Sequence, residues 1–148
     1  MANLVSAKNL IAKLAGEIIK ESSVYETAPW GNTDQDNFLN QALLVDTKLT
    51  PPDLLKCLLD IEKKMGRERI EKWGPRLIDI DILYYNVDVL YKDDLKIPHP
   101  YMQDRRFALV ALNELSPEWI HPLLHKTAAQ MLEECKDNGW VKTYAPAN

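Results

Sequence analysis

Apolar residues recur at helical spacing at the start of the chain, where Leu4, Ala7, Leu10, Ile11, Leu14 and Ala15 share one face and Gly16 stands where a helix would stop. This predicts a first helix over about Asn3–Ala15. From Ile18 to Thr27 the β-branched and aromatic content rises, and Ala28-Pro29-Trp30-Gly31 breaks the strand into a polar loop through Asp36. Phe38 to Thr47 alternates Leu39, Leu43 and Val45 against Asn40, Ala42 and Asp46, a second strand expected to pair with the first as a hairpin across that loop. Thr50-Pro51-Pro52-Asp53 then offers an N-cap, a proline at the first helical position and an acid three residues after the cap. The helix it starts has Leu54, Leu55, Leu58, Ile61 and Met65 as its apolar face, Lys63 and Lys64 in its last turn and Gly66 as C-cap. Arg67–Arg76 is an apolar-poor loop. Leu77–Tyr85, LIDIDILYY, is expected as a third strand, closed by a turn at Asn86-Val87-Asp88 and paired with a short strand near Val89–Tyr91. Arg106–Leu115 and Thr127–Cys135 are predicted helices, the second with Thr127 and Gln130 as a capping box, and Trp140–Tyr144 a final strand. Helices interleaved with hairpins predict an α+β fold with helices on the faces of a sheet.

At 148 residues, 46% apolar and 27% charged, the sequence describes one globular domain over 1–148, long enough to fold without disulfide or metal support. No repeat or Gly/Ser-rich linker divides it. No run approaches the roughly 20 apolar residues that cross a bilayer, and the N-terminus lacks the order of a signal peptide, so a cytoplasmic protein without a membrane partner is expected. Cys57 and Cys135 stand apart without a CxxC or Cys/His cluster, which predicts reduced thiols. The 22 acidic against 18 basic side chains argue against bulk nucleic-acid binding.

The positive charge is unevenly placed. All five arginines lie between positions 67 and 106, and Arg67, Arg69, Lys72 and Arg76 fall within ten residues, interleaved with Trp73. Arginine presents a planar donor fork to phosphate oxygens, and a tryptophan face can close over a ligand. A solvated loop pairing its arginines with Glu68 and Glu71 would use the same residues.

Asp79 and Asp81 are two apart on the expected strand, so their side chains share a face with Cα atoms about 7 Å apart. Flanked by Leu77, Ile78, Ile80, Ile82 and Leu83, they read as part of a buried central strand where unpaired carboxylates need a cation. An oxygen-rich Mg²⁺ site suits them, because Mg²⁺ takes one or two carboxylates and completes its shell with water and phosphate. An exposed strand end, or pairing with arginines, is the alternative. His99, framed by Pro98 and Pro100 and followed by Arg105, Arg106 and Phe107, fits a phosphate contact better than a general base. Asn40 and Phe38 could orient and stack a heterocycle, while His121 and His125 are expected to be structural.

Together, SSVYETAPWG from Ser22, Phe38-Leu39-Asn40, Gly66-Arg67, WGPRLIDID from Trp73, and Pro98-His99-Pro100 with Arg105 and Phe107 resemble the hydroxymethyl-dihydropterin pyrophosphokinase family of folate biosynthesis. The resemblance covers nearly the whole chain. It implies a ferredoxin-like α+β fold, an antiparallel sheet with helices packed on its faces, and transfer of pyrophosphate from ATP to the hydroxymethyl group of the dihydropterin, with AMP released. It further implies that Asp79 and Asp81 bind two Mg²⁺ ions, that Arg67, Arg69, Trp73 and Arg76 belong to a loop closing over both substrates with Arg76 on the phosphates, and that Arg67 and Arg76 join the aspartates in catalysis. Glu62, His99 and Arg105 would help Arg69 and Trp73 bind ATP. Thr27, Ala28 and Trp30 would border the pterin pocket, Asn40 would hydrogen-bond the pterin, and Phe38 and Phe107 would sandwich it. Whether Asp81 also takes the hydroxyl proton is open.

Two departures stand out. Ala28 replaces the proline usual in the family, a mild change for a backbone contact. Family members also begin with a strand and a Gly-Ser-Asn-Leu-Gly-Asp-Arg turn, whereas Ala2-Asn3-Leu4 resembles the first turns of the following helix, so the family's opening strand is expected to be absent. Three functions follow from these residues: the active pyrophosphokinase as a monomer or weak dimer, an impaired ATP- and pterin-binding form of it, and a two-metal phosphodiesterase. The last would want further metal ligands and a broad basic surface, and the sequence shows neither.

Overall fold

The computed structural model describes residues 1–28, 37–66 and 78–144. The first two helices, α1 (Ala2–Leu14) and α2 (Pro51–Gly66), form where the periodicity places them. Thr50 starts α2: its carbonyl accepts from the Leu54 N–H at 2.8 Å and its Oγ1 from the Asp53 N–H at 3.4 Å. Ala7, Ile11 and Ala15 interlock with Leu58, Ile61 and Met65 in a first buried cluster. Between α1 and the next strand, a Cβ on Gly16 would lie 2.2 Å from the Asp46 carbonyl oxygen, so the close approach of two backbones requires glycine there.

The expected hairpin is present and interrupted at matching points of both arms. β1 (Glu17–Glu21) pairs antiparallel with β4 (Leu43–Asp46), and β2 (Tyr25–Thr27) with β3 (Phe38–Asn40). Where the ladder breaks, buried Ser22 donates its N–H to the Ala42 carbonyl and accepts the Ala42 N–H on Oγ, both at 2.9 Å. The other edge of β2 takes the C-terminal β7 (Val141–Thr143). Together with a hairpin of β5 (Leu90–Lys92) and β6 (Leu95–Ile97), the described strands form three small antiparallel sheets, β1–β4, β3–β2–β7 and β5–β6.

Two expectations are corrected. Residues 78–84 carry no strand ladder. Ile78, Ile80 and Ile82 lean on the first cluster while Asp79 and Asp81 face solvent, and the backbone bonds elsewhere: the Ile80 N–H to the Glu62 carboxylate at 2.7 Å, the Leu83 carbonyl to the His99 N–H at 2.8 Å. The short strand after the Asn86 turn pairs with β6, not with 78–84, because the Asp93-Asp94 turn supplies a neighbour within the same hairpin. The turn itself is as expected, with the Asp88 N–H on the Tyr85 carbonyl at 3.0 Å and Asn86 at φ 52°.

A 3₁₀ turn at Met102–Asp104 leads into α3 (Arg106–Leu115), and α4 (Ala128–Glu134) starts with the Thr127/Gln130 capping box. Met102, Leu109, Leu112, Ala128 and Met131 form the second buried cluster, against which Leu83 and Tyr84 pack. The segment bearing Asp79 and Asp81 therefore crosses from one core to the other. Among the described residues no helix is long and apolar enough to cross a membrane, and Cys57 and Cys135 are free thiols.

Candidate functional site

The alternation of Ile78, Ile80 and Ile82 with Asp79 and Asp81 gives the apolar side of the segment to the core and the carboxylates to water, Asp81 being 53% exposed. Burial therefore supplies no reason for a cation here, contrary to expectation. Pairing with an arginine is observed instead: one Arg105 guanidinium nitrogen lies 3.7 Å from Asp81 Oδ2. Glu62, on the side of α2, holds the backbone between the two aspartates through the Ile80 N–H.

His99 follows a cis Ile97–Pro98 peptide and is tied through its own N–H to Leu83. Its Nδ1 accepts from the Tyr101 N–H at 3.2 Å, so the neutral ring carries its proton on Nε2. Burial holds the imidazole below its usual value; the Asp81 carboxylate opposes this and the Arg105 guanidinium reinforces it. Asp81 and His99 line one cleft of about 240 Å³, whose apolar walls come from Leu55, Ile80, Ile82 and Leu95. Lys96, Asp93 and Asp94 of the β5–β6 hairpin also line it. None of these three was singled out from the sequence, although Asp-Asp between apolar alternations is a hairpin signal. A larger groove of about 560 Å³ runs along α2, with Lys56, Lys63 and Lys64 among Asp53 and Asp60, and no described candidate residue lines it.

A second group lies on the β2–β3 ribbon. Thr27 stands directly opposite Phe38, and Tyr25 opposite Asn40, so these four side chains share one face. Ala28 follows at the exposed end of β2. Tyr25 sends its hydroxyl to Glu114 of α3, so this face looks toward the helix that carries Phe107 in its first turn. The start of α3 is held by Asp137, whose Oδ2 accepts the Arg106 N–H at 3.1 Å. His121 is structural, buried with its Nδ1 accepting the Leu123 and Leu124 N–H groups at 3.1 Å each. Trp30, Arg67, Arg69, Trp73 and Arg76 lie outside the described residues.

Comparison with known proteins identifies the family. The family model for 7,8-dihydro-6-hydroxymethylpterin-pyrophosphokinase matches residues 1–117. The chain is 42% identical over 133 residues to the 2-amino-4-hydroxy-6-hydroxymethyldihydropteridine pyrophosphokinase of Synechocystis, covering 89% of this chain and 68% of that protein. With the enzyme of the same name from Aquifex aeolicus it shares 43% identity over 128 residues, 86% of this chain and 78% of the other. It is also 44% identical over 125 residues to the folic acid synthesis protein FOL1 of Dictyostelium discoideum, 84% of this chain but 19% of that longer protein. The crystal structure of Plasmodium falciparum HPPK-DHPS with SDX-DHP superposes with a TM-score of 0.68 at 21% identity, covering 89% of this chain and 40% of that one, a likeness of fold. The chain thus belongs to the 7,8-dihydro-6-hydroxymethylpterin-pyrophosphokinase family, transferases of folate synthesis.

Proposed function

We propose that this chain transfers the pyrophosphoryl group of ATP to the hydroxyl of a hydroxymethyl-dihydropterin, with AMP as second product. The observation that carries the proposal is the meeting of Asp81 and His99 at one cleft with apolar walls, with the Arg105 guanidinium beside Asp81, in a chain of this family. In this reaction the hydroxymethyl oxygen forms a bond to the β-phosphorus as the bond from that phosphorus to the α,β-bridging oxygen breaks. The electron pair leaves with AMP, and the hydroxyl gives up its proton.

Most of the work is placement and charge compensation. The slot between Leu55, Ile80, Ile82 and Leu95 suits a flat nucleobase, with Asp81 and His99 lining the same cleft. His99 presents Nε2–H as a donor to a phosphate oxygen, and Arg105 presents its guanidinium. Asp79 and Asp81 fit Mg²⁺: both are hard oxygen donors facing solvent two residues apart, with room for the water and phosphate that Mg²⁺ requires. Bound there with ATP, Mg²⁺ would neutralise charge on the phosphate oxygens. On the ribbon, Asn40 supplies the amide that orients a pterin, Phe38 one stacking face, and Thr27 and Ala28 the adjoining backbone, while Phe107 at the start of α3 supplies the other face. Trp30, Arg67, Arg69, Trp73 and Arg76 are assigned to loop contacts with the two substrates by family resemblance alone.

The test is AMP formation by this chain from ATP, Mg²⁺ and 6-hydroxymethyl-7,8-dihydropterin. AMP that requires all three supports the proposal. AMP made without pterin refutes it, and ATP binding without any AMP makes the chain a binding form of the family.

A further inference from the structure

We infer that Glu114 is a positioning residue for the acceptor pocket: by clamping the start of β2 onto α3, it fixes the strand pair that carries Phe38 and Asn40 against the helix that carries Phe107. This rests on the proposal above that the pterin binds between them.

The Glu114 carboxylate gathers three donors from a segment about ninety positions earlier. One oxygen accepts the Ser23 N–H and the Ser23 hydroxyl, both at 2.9 Å; the other accepts the Tyr25 hydroxyl in a short hydrogen bond. Against the upward push of burial, these bonds hold the carboxyl below the usual carboxylate range, while burial first and then the Glu114 carboxylate push the Tyr25 hydroxyl up. A surface glutamate needs one such partner at most, and three convergent donors mark an anchored group.

Register shows what the anchor holds. Tyr25 faces Asn40 across the β2–β3 pair, and Thr27 faces Phe38. On α3, Phe107 and Glu114 are seven positions apart, two turns, which places them on one stripe of the helix with a rise of about 10 Å between them. Glu114 at the end of the stripe thus sets the spacing and tilt of the ribbon against the helix, and Phe107 at its start faces the volume so defined. Asp137 fixes that end independently through the Arg106 N–H. Displacing reacting groups by an ångström is enough to matter in such a site.

The experiment is steady-state kinetics with each substrate varied in turn, plus melting temperatures, for Glu114→Ala, Glu114→Gln and Tyr25→Phe. Thr47→Val, which deletes a hydroxyl bond to the Ala15 carbonyl at 2.6 Å, serves as the control for general loosening. Glu114→Ala is expected to raise the KM for the pterin about tenfold, the factor set by loss of a charge-assisted hydrogen bond, with the KM for ATP unchanged. Glu114→Gln, which keeps an acceptor oxygen, should recover part of that loss, and Tyr25→Phe should fall between. Equal rises in both KM values, or a lower melting temperature with both KM values unchanged, would overturn the clamp. If the parent chain makes no AMP, the proposed reaction fails on its own account. The same variants are then read by quenching of dihydropterin fluorescence, where an affinity untouched by Glu114→Ala overturns the clamp separately. A parent chain that binds no pterin overturns both.

Discussion

Glu62→Ala separates two roles for one carboxylate. Family resemblance implies that Glu62 contacts ATP; the structure shows its Oε1 accepting the Ile80 N–H at 2.7 Å, next to the fully buried Ile61. Ile80 lies between Asp79 and Asp81, so this bond sets how far both carboxylates stand from the core. A hydrogen bond to an ionised acceptor contributes about 1.5–3 kcal/mol, and because water reaches the half-exposed segment and replaces part of it, the lower end applies, about 1.5–2 kcal/mol. For a chain of this size that is a fall in melting temperature of roughly 3–8 °C. Locally it is a 10- to 30-fold faster exchange of the Ile80 amide hydrogen, by about 1.4 kcal/mol per decade. Glu62→Gln keeps the acceptor and loses only the charge, which should cost about 0.5–1 kcal/mol. With the strut gone, the Mg²⁺ concentration for half-maximal AMP formation should rise in Glu62→Ala and recover in Glu62→Gln. Unchanged amide exchange and melting in Glu62→Ala, with the KM for ATP raised alike in both variants, would refute the strut and restore a direct ATP contact.

Other outcomes are as specific. Gly16→Ala drives a Cβ into the Asp46 carbonyl and cannot be accommodated without shifting the Glu17–Asp46 register; chemical denaturation should show a loss of about 3 kcal/mol, and an unchanged midpoint would refute the close approach. Asp79→Asn and Asp81→Asn should each abolish AMP formation while changing stability by less than about 0.5 kcal/mol, as both side chains are exposed; wild-type turnover in either would remove it from the metal site. Burial, helped by neighbouring His125, holds His121 below its usual value of 6.5, so the unfolded chain takes up a proton that the folded one refuses. Its contribution to stability is complete above pH 6.5 and is lost as pH falls from there through the folded value, and His121→Asn, which keeps an acceptor near Nδ1, should flatten that slope in a pH series of melts. Equal slopes would refute this assignment.

Where a signal is local, the sequence was enough. The Thr50 cap starts α2, the Thr127/Gln130 box starts α4, and periodicity alone delimits α3. Residues 78–84 differ from the expected strand because the alternation of isoleucine and aspartate reports which side meets the core, not whether a neighbouring strand is present. Taken instead as a run buried on both sides, the same letters made two exposed aspartates look costly. The partner of β5 is legible in Asp93-Asp94, a turn that joins it to β6 within one hairpin. Within the site, Asp81, His99 and Arg105 do come together. Glu114 was invisible, since a glutamate on an amphipathic helix looks like any solvated position and its partners lie 89 and 91 residues away.

The firm and loose contacts around Asp81 divide by function. Ile78, Ile80 and Ile82 rest on the first cluster, Leu83 and Tyr84 on the second, so Asp81 lies just before the chain changes cores. His99 is tied to Leu83, and Met102, between His99 and Arg105 in sequence, is fully buried in the second cluster. The backbone that places these groups is held by bonds of 2.7 and 2.8 Å, at Ile80 and Leu83. Their charged ends are not. Arg105 and Asp81 sit 3.7 Å apart, beyond a good hydrogen bond, with side chains 41% and 53% exposed, and such a pair adds little to stability. A polyphosphate can therefore take the guanidinium and a cation the carboxylate at small cost, while the backbone that aims them stays in place. That combination is what a site needs if its ligands arrive with both charges.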